Sequence, residues 1–203
     1  RDWSVTGVQT CALPIYGITP PGVCPANNTD NDKLIWITST PKRGNFNAGL
    51  GVADMDCNDG ADPNMPADIG TATYKALLVD TTTRRATTSG TDATGQLNWV
   101  LQPNTEYYLK TGGNPYTTAV LTTDANALFS FGSLSTALSG GADSFWTGLN
   151  SDWTTAANHC AEWTNDTAGF IGQYGNGGTT GASAISAGNS SCADTRKLIC
   201  VQQ

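Results

Sequence analysis

Phe145-Trp146-Thr147-Gly148-Leu149 opens the stretch that decides the fold. It continues through Asn158-His159-Cys160-Ala161-Glu162-Trp163-Thr164 and, after a long run of Gly, Thr, Ser and Ala, closes on Cys192 and Leu198-Ile199-Cys200-Val201. A loop built from small residues has little apolar matter to bury and loses much backbone entropy on ordering. A covalent pin at its ends answers that difficulty. Cys160 and Cys192 bracket the loop, and Cys200 sits in an apolar C-terminal strand.

Upstream of this stretch the chain reads as short elements between turns. Leu34-Ile35-Trp36-Ile37-Thr38 is apolar on both faces, so it predicts a buried strand, ended by Thr40-Pro41. Helical spacing predicts a short helix over about Leu50 to Asn58, with Ala53 and Cys57 as an i, i+4 pair and Cys57 on its inner face. Gly60, Pro63 and Pro66 prevent its extension. Tyr74 to Val79 is a second apolar element, and Leu97-Asn98-Trp99-Val100-Leu101 predicts a strand ending at Pro103. Tyr107-Tyr108-Leu109 and Ala119 to Thr123 predict a strand pair across Gly112-Gly113-Asn114-Pro115. Leu128-Phe129-Ser130-Phe131 then precedes a small-residue stretch to Gly141.

Composition narrows the class. The chain has 203 residues, enough for one domain with its own core. Only 13% of residues are charged, and Glu occurs at Glu106 and Glu162 alone. Long amphipathic helices are excluded on that ground, since their exposed faces carry such residues. The net charge is −7, and Arg84-Arg85 is a basic pair within the domain that could suggest an anion site. An acidic chain without a Lys/Arg cluster argues against nucleic acid or a heparin-type polyanion as partner. No apolar run has the length of a membrane span.

Residues 1–15 read RDWSVTGVQTCALPI and resemble the conceptual translation of a sequencing adapter. That resemblance implies that residues 1–16 are foreign to the genuine protein and that Trp3 and Cys11 carry no argument. It also implies a microbial source and makes the lack of a signal segment uninformative. Residues 17–32, with Pro20-Pro21, Gly22 and Pro25, read as a linker holding Cys24, expected to be unpaired within the domain. Residues 33–203 form the expected domain.

Several constellations invite a chemical reading. Asp54 to Gly60 is acidic, but an EF-hand loop begun at Asp54 would place Asp59 at its obligatory glycine and Met65 at its bidentate glutamate. An acidic exposed helix face explains the patch. Arg84-Arg85 beside Asp80 fits a structural pair bonding backbone carbonyls or Asp carboxylates. His159 is the only histidine, which cannot build a zinc site alone, and no nucleophile elbow accompanies it. Paired carboxylates for glycoside chemistry stay open, with nothing to single out two of the many Asp. No catalytic residue, cofactor or metal site is therefore assigned. Trp36, Trp99, Trp146 and Trp163 lie in apolar segments and read as core. Trp153, after Asn150-Ser151-Asp152, is the tryptophan expected to be most exposed.

Setting aside Cys11 and Cys24 leaves Cys57, Cys160, Cys192 and Cys200, for which three pairings exist. Their layout resembles the C-type-lectin-like fold, with Trp146-Thr147-Gly148-Leu149 standing where that fold carries its central "WIGL" strand and Leu198 to Val201 where it carries its last. The resemblance implies a nested pairing, Cys57–Cys200 outside and Cys160–Cys192 inside. Tyr74-Lys75-Ala76-Leu77-Leu78, Arg84-Arg85-Ala86, Leu128 to Phe131, Cys160-Ala161-Glu162-Trp163 and Leu198-Ile199-Cys200 are similar to the endostatin branch. Gly51-Val52-Ala53-Asp54 with Cys57, Asn98 to Leu101, and Pro103-Asn104-Thr105 with Tyr107 resemble most a bacterial secreted family of that branch with no assigned function. The implied fold is α+β and loop-rich, with twisted antiparallel strands, two short helices and two nested disulfides.

The departures from that family bear on function. Sugar-binding C-type lectins hold calcium with a Glu-Pro-Asn or Gln-Pro-Asp loop, whereas between Thr164 and Ser191 the only acid here is Asp166 and there is no proline. The basic surface and N-terminal His cluster of endostatin are missing as well. The expectation is a non-enzymatic extracellular recognition or adhesion module that binds a protein or glycan without calcium. Its contacts would come from the loop between about Asp166 and Asn189, through Asp166, Tyr174 and Asn176, with Trp153 as a further candidate. Against this stands a loop that merely covers the core. A structural module of a larger microbial surface protein or lipoprotein is the alternative function, and a carbohydrate-active enzyme the third. Disulfides place the chain outside a reducing cytosol. Ligand identity and oligomeric state stay open.

Overall fold

The computed structural model describes residues 32–66, 72–87, 95–110, 119–132, 134–141 and 143–203. Cys24, the adapter-like segment and the Gly112–Pro115 turn lie outside the described residues.

The first strand, β1 (Asp32–Ile37), is the centre of the structure, and its sequence explains why. Leu34 and Trp36 point into one apolar cluster and Ile35 and Ile37 into another, so both faces are covered. A short helix, α1 (Leu50–Asp56), presents Leu50 and Ala53 inward, with Cys57 as its C-cap. Then come β2 (Tyr74–Ala76), β3 (Glu106–Leu109), β4 (Ala119–Thr122), β5 (Ser144–Trp146), a single turn α2 (Cys160–Trp163), β6 (Ile171–Asn176), β7 (Gly188–Ser191) and β8 (Ile199–Gln202). One sheet has the order β2-β8-β1-β3-β4 and the other β5-β6-β7. The fold is α+β, mostly strands, with two short helical elements.

Inside the larger sheet, β1 runs parallel to β3, pairing Asp32 with Glu106 and Ile35 with Leu109, and antiparallel to β8, pairing Trp36 with Cys200. β3 and β4 form the expected antiparallel pair, with a bulge at Tyr107/Tyr108. The smaller sheet joins the larger through residues 196–198: Trp146 N donates to the Lys197 carbonyl and Lys197 N to the Ser144 carbonyl.

Cys57 is bonded to Cys200 and Cys160 to Cys192, the nesting that the resemblance implies. The outer bridge spans 143 residues of sequence and the inner one 32. In the chain-entropy picture such loops contribute at most about 5 and about 3.7 kcal/mol.

Two expectations are corrected. Leu97 to Leu101 is not a strand: apart from a bridge between Leu97 and Arg85 it runs as irregular chain, though Trp99, Val100 and Leu101 are buried. Asn98 adopts φ +46°, which breaks the extended run. The carbonyls of Asn98 and Val100 are met by side chains instead, Arg84 Nε and Gln203 Nε2. Nor is the stretch from Asp166 to Asn189 a bare loop. It forms β6, a 3-10 turn over Ala182–Ala184, and β7. Its small residues permit close packing: a Cβ on Gly172 would lie 2.7 Å from Cys160 Sγ and 2.8 Å from a ring carbon of Trp146.

The turn α2 is left-handed. Cys160, Ala161, Glu162 and Trp163 all have φ between +52° and +58°, a conformation that costs L-residues roughly 1–2 kcal/mol each. It is held from every side. Cys160 is in the inner disulfide, and His159 Nδ1 accepts from Glu162 N at 2.9 Å. The Glu162 carboxylate accepts from Thr81 N and Thr81 Oγ1. Trp163 is fully buried, donating through Nε1 to the Val79 carbonyl at 2.7 Å while its own carbonyl accepts from Phe46 N.

Two expected outcomes follow from this packing. Ala161 is exposed, so Ala161→Gly relieves strain without loss of contacts; after the greater freedom of glycine in the unfolded chain, a net gain of about 0.5–1 kcal/mol is expected in the urea midpoint. A loss would show that the turn is not left-handed in solution. Tyr107 is buried, and burial pushes its phenol up to about 12, opposed in part by the Gln102 N–H that it accepts. The fold thus favours the neutral phenol, whose unfolded pKa is about 10. That contribution, at most about 2.7 kcal/mol, is complete below pH ~10 and disappears as pH rises through ~12. Urea midpoints across that window should fall in the wild type and fall less in Tyr107→Phe.

Candidate functional site

The residues expected to contact a ligand are not brought together. Asp166, before β6, faces Arg43 across 3.8 Å, both side chains well exposed. Tyr174 and Asn176 are two apart on β6 and share one face. The Tyr174 ring is nevertheless not free: the Arg196 guanidinium lies 3.6 Å from its centroid and also 5.2 Å from that of Trp146. Desolvation lowers the Arg196 pKa from its usual high value. Asn176 is exposed and uses Oδ1 to accept from Gly178 N, closing its turn. Arg196 therefore occupies one face of the Tyr174 ring, which is only partly buried.

Trp153 is the second correction among these residues. It is 4% exposed and belongs to the core. The polar residues before it build the outside of a tight turn: Trp153 N donates to the Asn150 carbonyl, Asn150 N to the Thr154 carbonyl, and Asp152 Oδ1 accepts from Thr154 N and Oγ1. Trp153 itself takes φ +71°, an outlier for a bulky side chain, and its ring goes inward to an aromatic cluster. Phe129 meets it edge-on at 4.7 Å and Trp99 at 5.9 Å, while Phe131 stacks on it at 5.3 Å with an interplanar angle of 14°.

That stack forms the floor of a surface groove of about 370 Å³. Its lining comes from two stretches of chain, Asp124, Asn126, Leu128, Phe129, Ser130 and Phe131 from one and Ser151, Asp152 and Trp153 from the other. Phe131 is only partly buried, whereas Phe129 and Trp153 are buried, so it is the most accessible aromatic residue lining the groove. Asp124 and Asp152 are exposed at the rim. Asp124 Oδ1 accepts from Asn126 N and Leu128 N, fixing that turn. The hydrogen bond from the Thr154 hydroxyl is the main cause holding the Asp152 carboxyl below its usual range. Among the described residues, the second oxygen of each carboxylate has no hydrogen bond. Sequence reading passed over Phe131, Asp124 and Asp152. The available signal was the aromatic alternation in Phe129-Ser130-Phe131, which puts two rings on one side of an extended chain.

The other polar clusters are spent on structure. Arg84 is buried and binds Asp54 with both terminal nitrogens, Nη1–Oδ1 at 3.0 Å and Nη2–Oδ2 at 2.6 Å, while also donating to the carbonyls of Ala76 and Asn98. Asp80, beside it in sequence, instead accepts from the N–H groups of Thr82, Thr83 and Arg84. Within the acidic patch, Asp56 pairs with Lys42 and Asp59 accepts from Ala61 N. Among the described residues no group of three His, Cys, Asp or Glu is arranged to hold a metal ion, and no helix is long and apolar enough to cross a membrane.

A profile of the family described as "Protein of unknown function (DUF1554)" matches residues 39–180, a span that contains every residue of the groove. No curated protein matches the chain.

If Trp153 is a core residue, Trp153→Ala should cost about 3–5 kcal/mol in chemical denaturation, whereas truncating an exposed contact residue such as Asn176 should change stability by less than about 0.5 kcal/mol. Equal, small effects would return Trp153 to the surface.

Proposed function

The chain belongs to the DUF1554 family, whose function is unassigned, and from that premise we propose that it is a non-enzymatic extracellular recognition module that binds its ligand without calcium. The observation carrying the proposal is the Phe131–Trp153 stack at the floor of a groove with unspent carboxylate oxygens on its rim. Concave aromatic surfaces with a few convergent polar groups are the usual form of a ligand site, in the size range of roughly 300–1,000 Å³. The C-type-lectin-like, endostatin-like reading of the fold is part of the proposal. Its support is the order of the nested bridges, with the first-half helix cysteine joined to the last strand and the inner pair stapling the long loop. Two buried disulfides also favour an oxidising compartment, hence secretion.

The non-enzymatic part of the reading is supported by how the single histidine and its neighbouring glutamate are used. The single histidine spends Nδ1 on the Glu162 N–H, and Glu162 spends both oxygens on Thr81. A module within a larger surface protein is the second reading, favoured by Phe170 and Ile171, which are 43% and 48% exposed side by side at the start of β6.

The test is a binding survey of the purified, oxidised chain against immobilised oligosaccharides and proteins, with calcium and with a chelator. Binding in the chelator is the expected result. Calcium should also leave the melting temperature unchanged, because a resident ion at a hundred times its dissociation constant would stabilise by about 2.7 kcal/mol. Binding that requires calcium would overturn the reading, as would turnover of a bound glycan.

A further inference from the structure

We propose that the Phe131 groove is a subsite for a neutral glycan, one pyranose ring lying on the outer face of Phe131 and its hydroxyls donating to Asp124 and Asp152. The proposal rests on the recognition reading above and names its ligand class.

Phe131 is stacked on Trp153 and packed edge-on against Phe129, so its orientation is fixed before any ligand arrives. A fixed ring offers a flat, electron-rich face at little entropic cost. The C–H face of a pyranose is the complement to such a surface, since its weakly positive hydrogens meet the negative face of the ring. Leu128 and Phe129 extend the apolar floor.

The rim supplies the polar half. A sugar's ring face is edged by hydroxyl donors, which bind strongly to ionised carboxylates. Asp124 and Asp152 each hold Oδ1 in a turn and leave the second oxygen without a hydrogen bond among the described residues. Two acceptors beside the one partly buried aromatic ring of the groove suit a polyhydroxylated ligand.

Charge selects among glycans. The groove's lining residues include two carboxylates and no Lys or Arg, so a uronic or sulfated chain would be repelled. A peptide fits less well. Recognition of extended peptides uses a free sheet edge or a row of alternating pockets, whereas the groove walls between Asp124 and Phe131 and at Ser151–Trp153 are turns and irregular chain.

The oxidised chain is titrated with cellotetraose and with tetra-N-acetylchitotetraose, followed by tryptophan fluorescence and calorimetry, in chelator. Heparin tetrasaccharide and an oligolysine peptide serve as the charged probes. At least one neutral probe should bind, and Phe131→Ala should weaken it by about tenfold, equivalent to about 1.4 kcal/mol. Phe131→Leu keeps apolar volume for the core but removes the ring face, and it should weaken binding similarly with an unchanged thermal midpoint. Met55→Ala, at an exposed position of α1, should leave the affinity alone, and Asp166→Asn tests the loop near Arg43 as the rival site. Neutral-glycan binding that survives both Phe131 variants but fails in Asp166→Asn would overturn the groove while sparing the recognition reading. Failure of both neutral probes, or preferential binding of heparin or oligolysine, would overturn the neutral-glycan assignment.

Discussion

The left-handed turn at Cys160–Trp163 is the constraint on which the rest of the structure depends. Four consecutive non-glycine residues at positive φ do not persist on their own. They do so here because three of the four are tied to different parts of the molecule: Cys160 to the β7 end through Cys192, Glu162 to Thr81, and Trp163 to both Val79 and Phe46. Read the other way, the turn gathers those segments into one place. The inner disulfide lies between two backbones that approach it at glycines, Gly44 and Gly172, where a Cβ would collide with Cys160 Sγ. The segment before α1, the connection after β2 and the end of β7 meet at this knot.

A chain so poor in charge uses its few ionic groups as struts. Arg84 reaches from its own loop to α1, β2 and the Asn98 segment at once, through Asp54 and two carbonyls. Whether a buried pair of this kind adds net stability depends on how fully its lone pairs and protons are used. Here Asp54 Oδ1 also accepts from Ala76 N, so the carboxylate joins helix to strand without leaving its partner. Arg196 serves similarly between Tyr174, Trp146 and Ser144, its guanidinium over two rings and its Nη1 donating to the Ser144 hydroxyl. Spent in this way, neither cation is free to receive an anion, whereas the carboxylates beside Phe131 keep an oxygen apiece.

Much of the architecture was legible because it follows from patterns local in sequence. β1 announces itself by apolar residues on both faces, α1 by the i, i+4 pair Ala53 and Cys57, and β3 and β4 by paired apolar runs. What escaped was set by contacts across the chain. Leu97 to Leu101 has the composition of a strand, but Asn98 turns it and Arg84 and Gln203 take its carbonyls. Trp153 has polar neighbours, yet they are the turn that drives its ring inward. The glycines after Thr164 suggest looseness, although at Gly172 and Gly175 they allow backbone to press on sulfur, ring and carbonyl. The groove was invisible for the same reason: Phe131 and Asp152 are 21 positions apart, and only the aromatic cluster brings them side by side.

The strand order β2-β8-β1-β3-β4 has a consequence for how the molecule comes into being. β8 is the last strand to leave the ribosome, yet it occupies an interior place between β2 and β1. Until it arrives, β1 has a partner only on its β3 side and β2 has none within that sheet. Contacts so distant along the chain close late, because loop entropy is lost before pairing compensates. Cys57 must likewise wait for Cys200 while Cys160, emerging in between, is free to react with it. A growing chain is therefore exposed to mispaired intermediates from the emergence of Cys57 until that of Cys200. Completion of β8 before the sheet folds, with the outer bridge oxidised afterwards, is the order of events that this topology favours.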